Sequence, residues 1–132
     1  MFSEQEIAYL KTQRLARIGT ASKESQPDVA PVAFEFDGEH FYIGGLSIAK
    51  TLKYKNVQDN KKVALVVDDL ETVDPWKPRG IKLHGRAEIV DRAGRFGSGT
   101  YLRIVPEVHW SWGIEGPVFK DGQAVIKKIR WK

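Results

Sequence analysis

The stretch Gly44 to Asp69, GGLSIAKTLKYKNVQDNKKVALVVDD, limits what this chain can fold into more than any other. Two adjacent glycines close a strand, a lysine-rich segment follows, and Val63 to Val67 is then an unbroken apolar run. That order predicts a strand, a short basic helix and a second strand covered on both faces. Lys50, Thr51, Lys53 and Lys55 fall in or near the first turns of the helix. Backbone N–H groups there lack intrahelical acceptors, and the macrodipole is positive. Lys50 and Lys53 are three apart and share a face, with the Thr51 hydroxyl as a further donor. Such a place accepts a phosphate group; the plain alternative is a solvated basic helix on an ordinary surface.

Around this unit the chain reads mostly as short strands. Ser3-Glu4-Gln5-Glu6 is a capping box, and Ile7, Tyr9 and Leu10 give the helix it starts an apolar face as far as about Thr12. Leu15 to Thr20 alternates as a first strand, and Ser22 to Gln26 is polar turn material. A second strand turns Val32, Phe34 and Phe36 toward a core, Asp37-Gly38 is a tight turn, and His40 to Gly44 returns. After the basic helix and its apolar strand, Asp68 to Pro78 reads as a long loop with Trp76 as a lid. Arg79 to Val90 alternates again, and Gly85 within it signals a bulge or a close backbone approach. Arg92 to Gly99 reads as a glycine-rich connector. Tyr101 to Val105 and Val108 to Trp112 read as two extended pieces joined at Pro106, and Ala124 to Trp131 as a last extended piece. The pattern is that of a small mixed barrel forming one domain over residues 1–132.

Other classes of function fall away on composition. With no cysteine there is no disulfide and no thiolate chemistry. His40, His84 and His109 are scattered without ligand-like spacing, so no metal site is expected. No apolar run is long enough to span a membrane, and MFSEQEIAYL lacks a signal core, so a cytoplasmic location is expected. The net charge of +4 is only a mild bias toward anionic partners. A single-stranded nucleic-acid module needs exposed aromatics interleaved with basic residues on strands, whereas Phe34 and Phe36 face the core and the lysines cluster on a helix. Ser47, Ser98 and Ser111 sit in no strained elbow, and the histidines have no carboxylate orienter near them in sequence. Any redox chemistry therefore belongs to a bound cofactor.

Four segments in this order carry a resemblance: RLARIGTAS with QPDVAPVAF, AKTLKYKNVQDNKKVALVVDDL, VDPWKPRGIKLHGRAEIV, and YLRIVPEVHWSWG. Over roughly Glu6 to Gly113 the chain resembles the pyridoxamine 5′-phosphate oxidase-like superfamily. That implies a mainly β (α+β) split β-barrel, FMN-binding-like, with short flanking helices. Within the superfamily it is similar to the small proteins assigned to the deazaflavin coenzyme F-420.

The resemblance implies a homodimer with the cofactor in a groove between subunits. It implies that Thr51 and Lys53, with Lys50 as an added charge, hold the cofactor phosphate. Pro31 and Val32 would lie along the tricyclic ring, Gly44 and Gly45 would leave room for it, and Arg79-Gly80 would approach its pyrimidine edge. Trp112 would come from the partner chain; Trp110 and Trp112 read equally as core or interface anchors. Val105-Pro106 stands where relatives carry His-Pro, so no histidine role transfers there. The arginine-rich C-terminus of true pyridoxamine phosphate oxidases is missing. The implied activity is hydride transfer to a small conjugated substrate, using coenzyme F-420 or, alternatively, FMN. An FMN-binding flavin reductase-like protein, or a cofactor-binding protein without turnover, shares the same site.

Overall fold

The computed structural model describes residues 1–45 and 47–132; Leu46, inside the Gly44–Asp69 stretch, lies outside the described residues. In chain order the elements are α1 (Glu4–Lys11), β1 (Leu15–Ala21), β2 (Pro27–Ala33), β3 (Glu35–Phe36) and β4 (Phe41–Ile43). A 3-10 turn (Ile48–Lys50) and α2 (Leu52–Asp59) follow, then β5 (Lys62–Thr72), β6 (Lys77–Gly94) and β7 (Gly97–Trp112). The chain ends with β8 (Phe119–Lys120), β9 (Gln123–Ala124) and β10 (Lys127–Arg130). All main-sheet pairings are antiparallel, in the order β2-β1-β5-β6-β7-β4-β3. Because β2 and β3 are one run of chain interrupted only at Phe34, the two ends of that order meet and the sheet closes. Closure removes the free edges that an open sheet of this length would expose. The barrel resemblance in the sequence is borne out.

Alternation along each strand fills the interior. Ala16 and Ile18 from β1, Val63, Leu65 and Val67 from β5, Ile81 and Leu83 from β6, and Leu102 and Ile104 from β7 are all buried. Each of the valine, leucine and isoleucine side chains among them contributes about 1.5–3 kcal/mol on leaving water. The helices plug the two barrel ends. At one end α1 inserts Tyr9 and Leu10, and at the other α2 inserts Asn56 and Val57, with Asn56 Nδ2 donating to Thr20 Oγ1 at 3.0 Å.

Several expectations change. Asp68 to Pro78 is not a long loop: β5 runs to Thr72, β6 begins at Lys77, and only Val73 to Trp76 turn between them. Prolines at Pro75 and Pro78 suggested irregularity, yet Pro75 sits in the turn and Pro78 one residue inside a strand start, both places that lack a ladder N–H. Arg92 to Gly99 is not a connector either, because β6 and β7 pair through it as far as Gly94↔Gly97. Likewise Tyr101 to Trp112 belongs to one strand. Glu107 is the extra residue of a bulge opposite His84 and Gly85, and a Cβ on Gly85 would run into the Val105 carbonyl oxygen. The expected bulge at Gly85 is thus present. Val63 to Val67 is covered on one face only, since Ala64 and Val66 on the outer face stay half-exposed. The last piece divides, with β8 and β9 forming a separate hairpin around Asp121-Gly122, both at positive φ.

One buried polar cluster ties the chain ends to the barrel. Glu6 closes the capping box with Ser3, and its carboxylate enters the core, 3.1 and 3.2 Å from His109 Nε2. The Trp131 indole N–H donates to His109 Nδ1 at 2.8 Å. An indole only donates, so Nδ1 carries the lone pair and Nε2 the proton given to Glu6. The histidine therefore does have a carboxylate partner, one that lies far away in the chain.

Burial alone would raise the Glu6 carboxyl, but hydrogen bonds from His109, Ser111 and the Ser3 N–H outweigh it and bring it down to about 2. A carboxyl lowered on folding stabilises the protein above the unfolded-state value near 4.5 and loses that contribution as pH falls toward 2. The contribution is about 3 kcal/mol. Glu6→Gln is expected to lower stability at pH 7 by about that amount and to flatten the loss of stability between pH 4.5 and 2. Urea unfolding across that pH range measures both.

Candidate functional site

Thr51 stands where the 3-10 turn gives way to α2. Its φ/ψ are extended, and its hydroxyl accepts from Tyr54 N at 3.3 Å while donating to the Ile48 carbonyl at 2.6 Å. It is a helix N-cap, and the N–H groups of Leu52 and Lys53 beyond it have no intrahelical acceptor. The first turn of α2 holds no acidic residue, unlike that of α1 with Glu4 and Glu6. Arg17, Arg79, Arg86, Arg92, Arg103 and Lys127 each have a carboxylate within ion-pair distance. Among the described residues Lys50, Lys53 and Lys55 have none. Lys50, Thr51 and Lys53 are thus brought together as an open cationic corner with backbone donors.

Gly44 and Gly45 lead into that corner and play different parts. A Cβ on Gly44 would collide with the Tyr101 ring, so its missing side chain makes room for an internal residue. Gly45 is exposed at φ 129, with nothing within 4 Å of where a Cβ would be. Of the two, Gly45 is the one that leaves open space beside the corner. On β2, Pro31 is exposed on the outer face and Val32 is buried, so only the backbone at Val32 is offered outward.

Arg79, Gly80 and Trp112 gather at the other barrel end. Gly80 pairs with Trp112, and a Cβ there would meet the Trp112 ring at 2.8 Å and Asp68 Cβ at 2.7 Å. The indole lies over the Gly80 backbone as a flat wall. Arg79 points to the opposite face and is occupied: it binds both oxygens of Asp69 at 2.8 and 3.1 Å and stands over the Tyr9 ring, 5.2 Å from its centroid. Tyr9 Oη donates to Asp69 at 2.9 Å. Hydrogen bonding to Arg79 holds the Asp69 carboxyl below its ordinary range, whereas burial pushes the Tyr9 hydroxyl up. Tyr9 and Asp69 were not expected at this site, and no local pattern marks a helix residue for contact with a strand this far along the chain.

The expected residues therefore form two half-sites. The chain leaving α2 meets β6 at Ala87, whose N–H donates to Lys61 O. From there to Gly80 is about seven residues, roughly 23 Å along the strand. Grooves of about 480 and about 550 Å³ lie beside Trp112 and the Gly113 to Phe119 segment, and neither reaches Thr51 or Lys53. Among the described residues no three His, Asp or Glu side chains come together as a metal ion would need. No described helix is long and apolar enough to cross a membrane.

Comparison with known proteins agrees with this architecture. The family model described as pyridoxamine 5′-phosphate oxidase matches residues 2–124. A Streptomyces rimosus protein named 5a,11a-dehydrotetracycline/5a,11a-dehydrooxytetracycline reductase is 36% identical over 121 residues, covering 87% of this chain and 85% of the relative. Among solved structures, HupZ of Group A Streptococcus superposes with a TM-score of 0.68 at 19% identity, covering 95% of this chain and 99% of that one. An FAD-binding protein of Mesorhizobium loti gives 0.64 at 21%, covering 83% and 91%. At such identities the structures speak for the fold.

Gly80→Ala is expected to push the Trp112 indole off its wall. The overpacking costs about 1–3 kcal/mol in urea unfolding and changes the near-ultraviolet tryptophan signal.

Proposed function

The chain belongs to the pyridoxamine 5′-phosphate oxidase family and is an oxidoreductase; from that premise we propose that it is a homodimeric reductase using coenzyme F-420 or FMN. The observation that carries the reading is the pair of half-sites at opposite barrel ends. A two-fold axis that packs outer sheet faces together sets one copy's cationic corner beside the other copy's Trp112 wall. The outer face suits such packing. Cross-strand register lays Pro31, Arg17, Val66, Lys82 and Trp110 in one row and Val29, Gly19, Ala64, His84 and Val108 in the next. Small and apolar residues dominate the second row, and Val29 is 70% exposed in the single chain.

In this reading Lys50, Lys53 and the first N–H groups of α2 hold the cofactor phosphate, with Thr51 fixing the helix start that aims them. Open space at Gly45 and the outward backbone at Pro31-Val32 admit the flat ring. Trp112 and Gly80 of the partner copy form its opposing wall and exclude water. The bound cofactor supplies the hydride equivalent. Arg79, Asp69 and Tyr9 are saturated by one another, so they shape the pocket end rather than exchange protons. The lysine-rich rim suits the anionic tail of F-420 as well as a simple phosphate. The Streptomyces relative suggests the substrate: an electron-poor conjugated double bond within a fused ring system. A cofactor-binding role without turnover uses the same two half-sites, and a hydride-transfer assay on such acceptors separates it.

Titration with coenzyme F-420 and with FMN is expected to give a Kd below about 100 μM for one of them, equivalent to about 5.5 kcal/mol. Lys53→Glu should weaken it at least tenfold, as expected for reversing a charge at a phosphate contact, and light scattering should report a dimer. A monomer, or undiminished affinity in Lys53→Glu, overturns the reading.

A further inference from the structure

Two hairpins stand beyond the Trp112 wall: the β5–β6 turn carrying Trp76, and β8–β9 carrying Phe119. Trp76 is 58% and Phe119 45% exposed, yet their rings lie 6.1 Å apart, inclined by 31°. Large aromatic faces left half in water beside one another are unusual for a packed edge, because burying them would be favourable. The two grooves beside Trp112 share Gly113, Ile114, Pro117 and Phe119. One half of this trough holds Trp76 and the other holds Trp112, and the two halves adjoin along the shared segment. At about 480 and about 550 Å³, each is the size of a small-molecule site.

The backbone keeps the trough open. Gly113, at positive φ, lies against Pro78 and Arg79, so the chain leaving Trp112 hugs the start of β6 and turns away from the indole. Val118 is buried and accepts from Val125 N at 2.7 Å, which anchors the β8–β9 hairpin while Phe119 faces outward. Lys127 and Glu115 pair at 2.6 Å, so the charges nearest the floor neutralise each other.

We propose that Trp76 and Phe119 are specificity-determining residues that stack on the far rings of a flat, fused-ring conjugated substrate lying along this trough. The inference rests on the reading above for one point, that Trp112 marks where the cofactor ring sits. The near end of the substrate meets that ring, and the remote rings are held by aromatic faces that take no part in the chemistry. An extended planar molecule uses both contacts at once, whereas a small acceptor reaches only the wall.

Calorimetric titration of the full-length protein with anthraquinone-2-sulfonate tests the trough without turnover, with cyclohexanesulfonate as the aliphatic control. Binding of the planar probe is expected to weaken about 5–20-fold in Trp76→Leu and in Phe119→Leu, the usual size of a lost stacking contact. Both side chains are exposed, so the variants should fold, and their affinity for F-420 or FMN should stay within about twofold of the parent on the same stacking argument. Equal binding of the two sulfonates, or unchanged probe affinity in both variants, overturns the proposal. So does a change of oligomeric state in Phe119→Leu, which would mean that a second copy covers the trough. Probe binding that depends on both rings in a protein that takes up neither cofactor upholds the aromatic trough while the reductase reading falls.

Discussion

The pairing of β6 with β7 is the constraint on which this molecule depends. It runs from Gly80↔Trp112 to Gly94↔Gly97 and spans both ends of the barrel. β5 attaches to one side, and on the other β4 and β10 share β7 at Phe41↔Ile104 and Ile129↔His109. A ladder this long must bend to close a barrel, and the bulge at Gly85 with its extra Glu107 supplies a bend within it. The same ladder holds the Lys50–Lys53 corner and the Gly80–Trp112 pair at opposite ends of the barrel.

Much of the architecture was legible because the local signals are strong. The Ser3–Glu6 capping box, the Asp37-Gly38 turn and the alternation through Arg79 to Val90 each act over a few residues, and each is where it was expected. Segments rich in proline, glycine or acid misled. Asp68 to Pro78 and Arg92 to Gly99 have the composition of loops, but both are the tips of long hairpins whose two arms pair with each other almost to the turn. Composition reports what a segment prefers alone, and ladder pairing overrides it when both partners are long.

Within the candidate site the division is the same. Lys50, Thr51 and Lys53 are neighbours in sequence, and their grouping at a helix start follows from spacing. Gly80 beside Trp112, or Tyr9 with Asp69 and Arg79, requires knowing the strand register, which no short pattern encodes. Gly44 shows the finer hazard, for a glycine near a binding corner had an internal reason, the Tyr101 ring pressed against it.

The Glu6–His109–Trp131 chain has one more consequence. With the Trp131 indole fixing the neutral ring form, His109 brings no positive charge to the interior, and the carboxylate of Glu6 is fully shielded from water. The ammonium of Lys127 lies 3.4 Å away on the last strand of the sheet and is shared with Glu115, which it meets at 2.6 Å. That terminal strand, which looks like trim along β7, is therefore what brings a cation to the buried carboxylate.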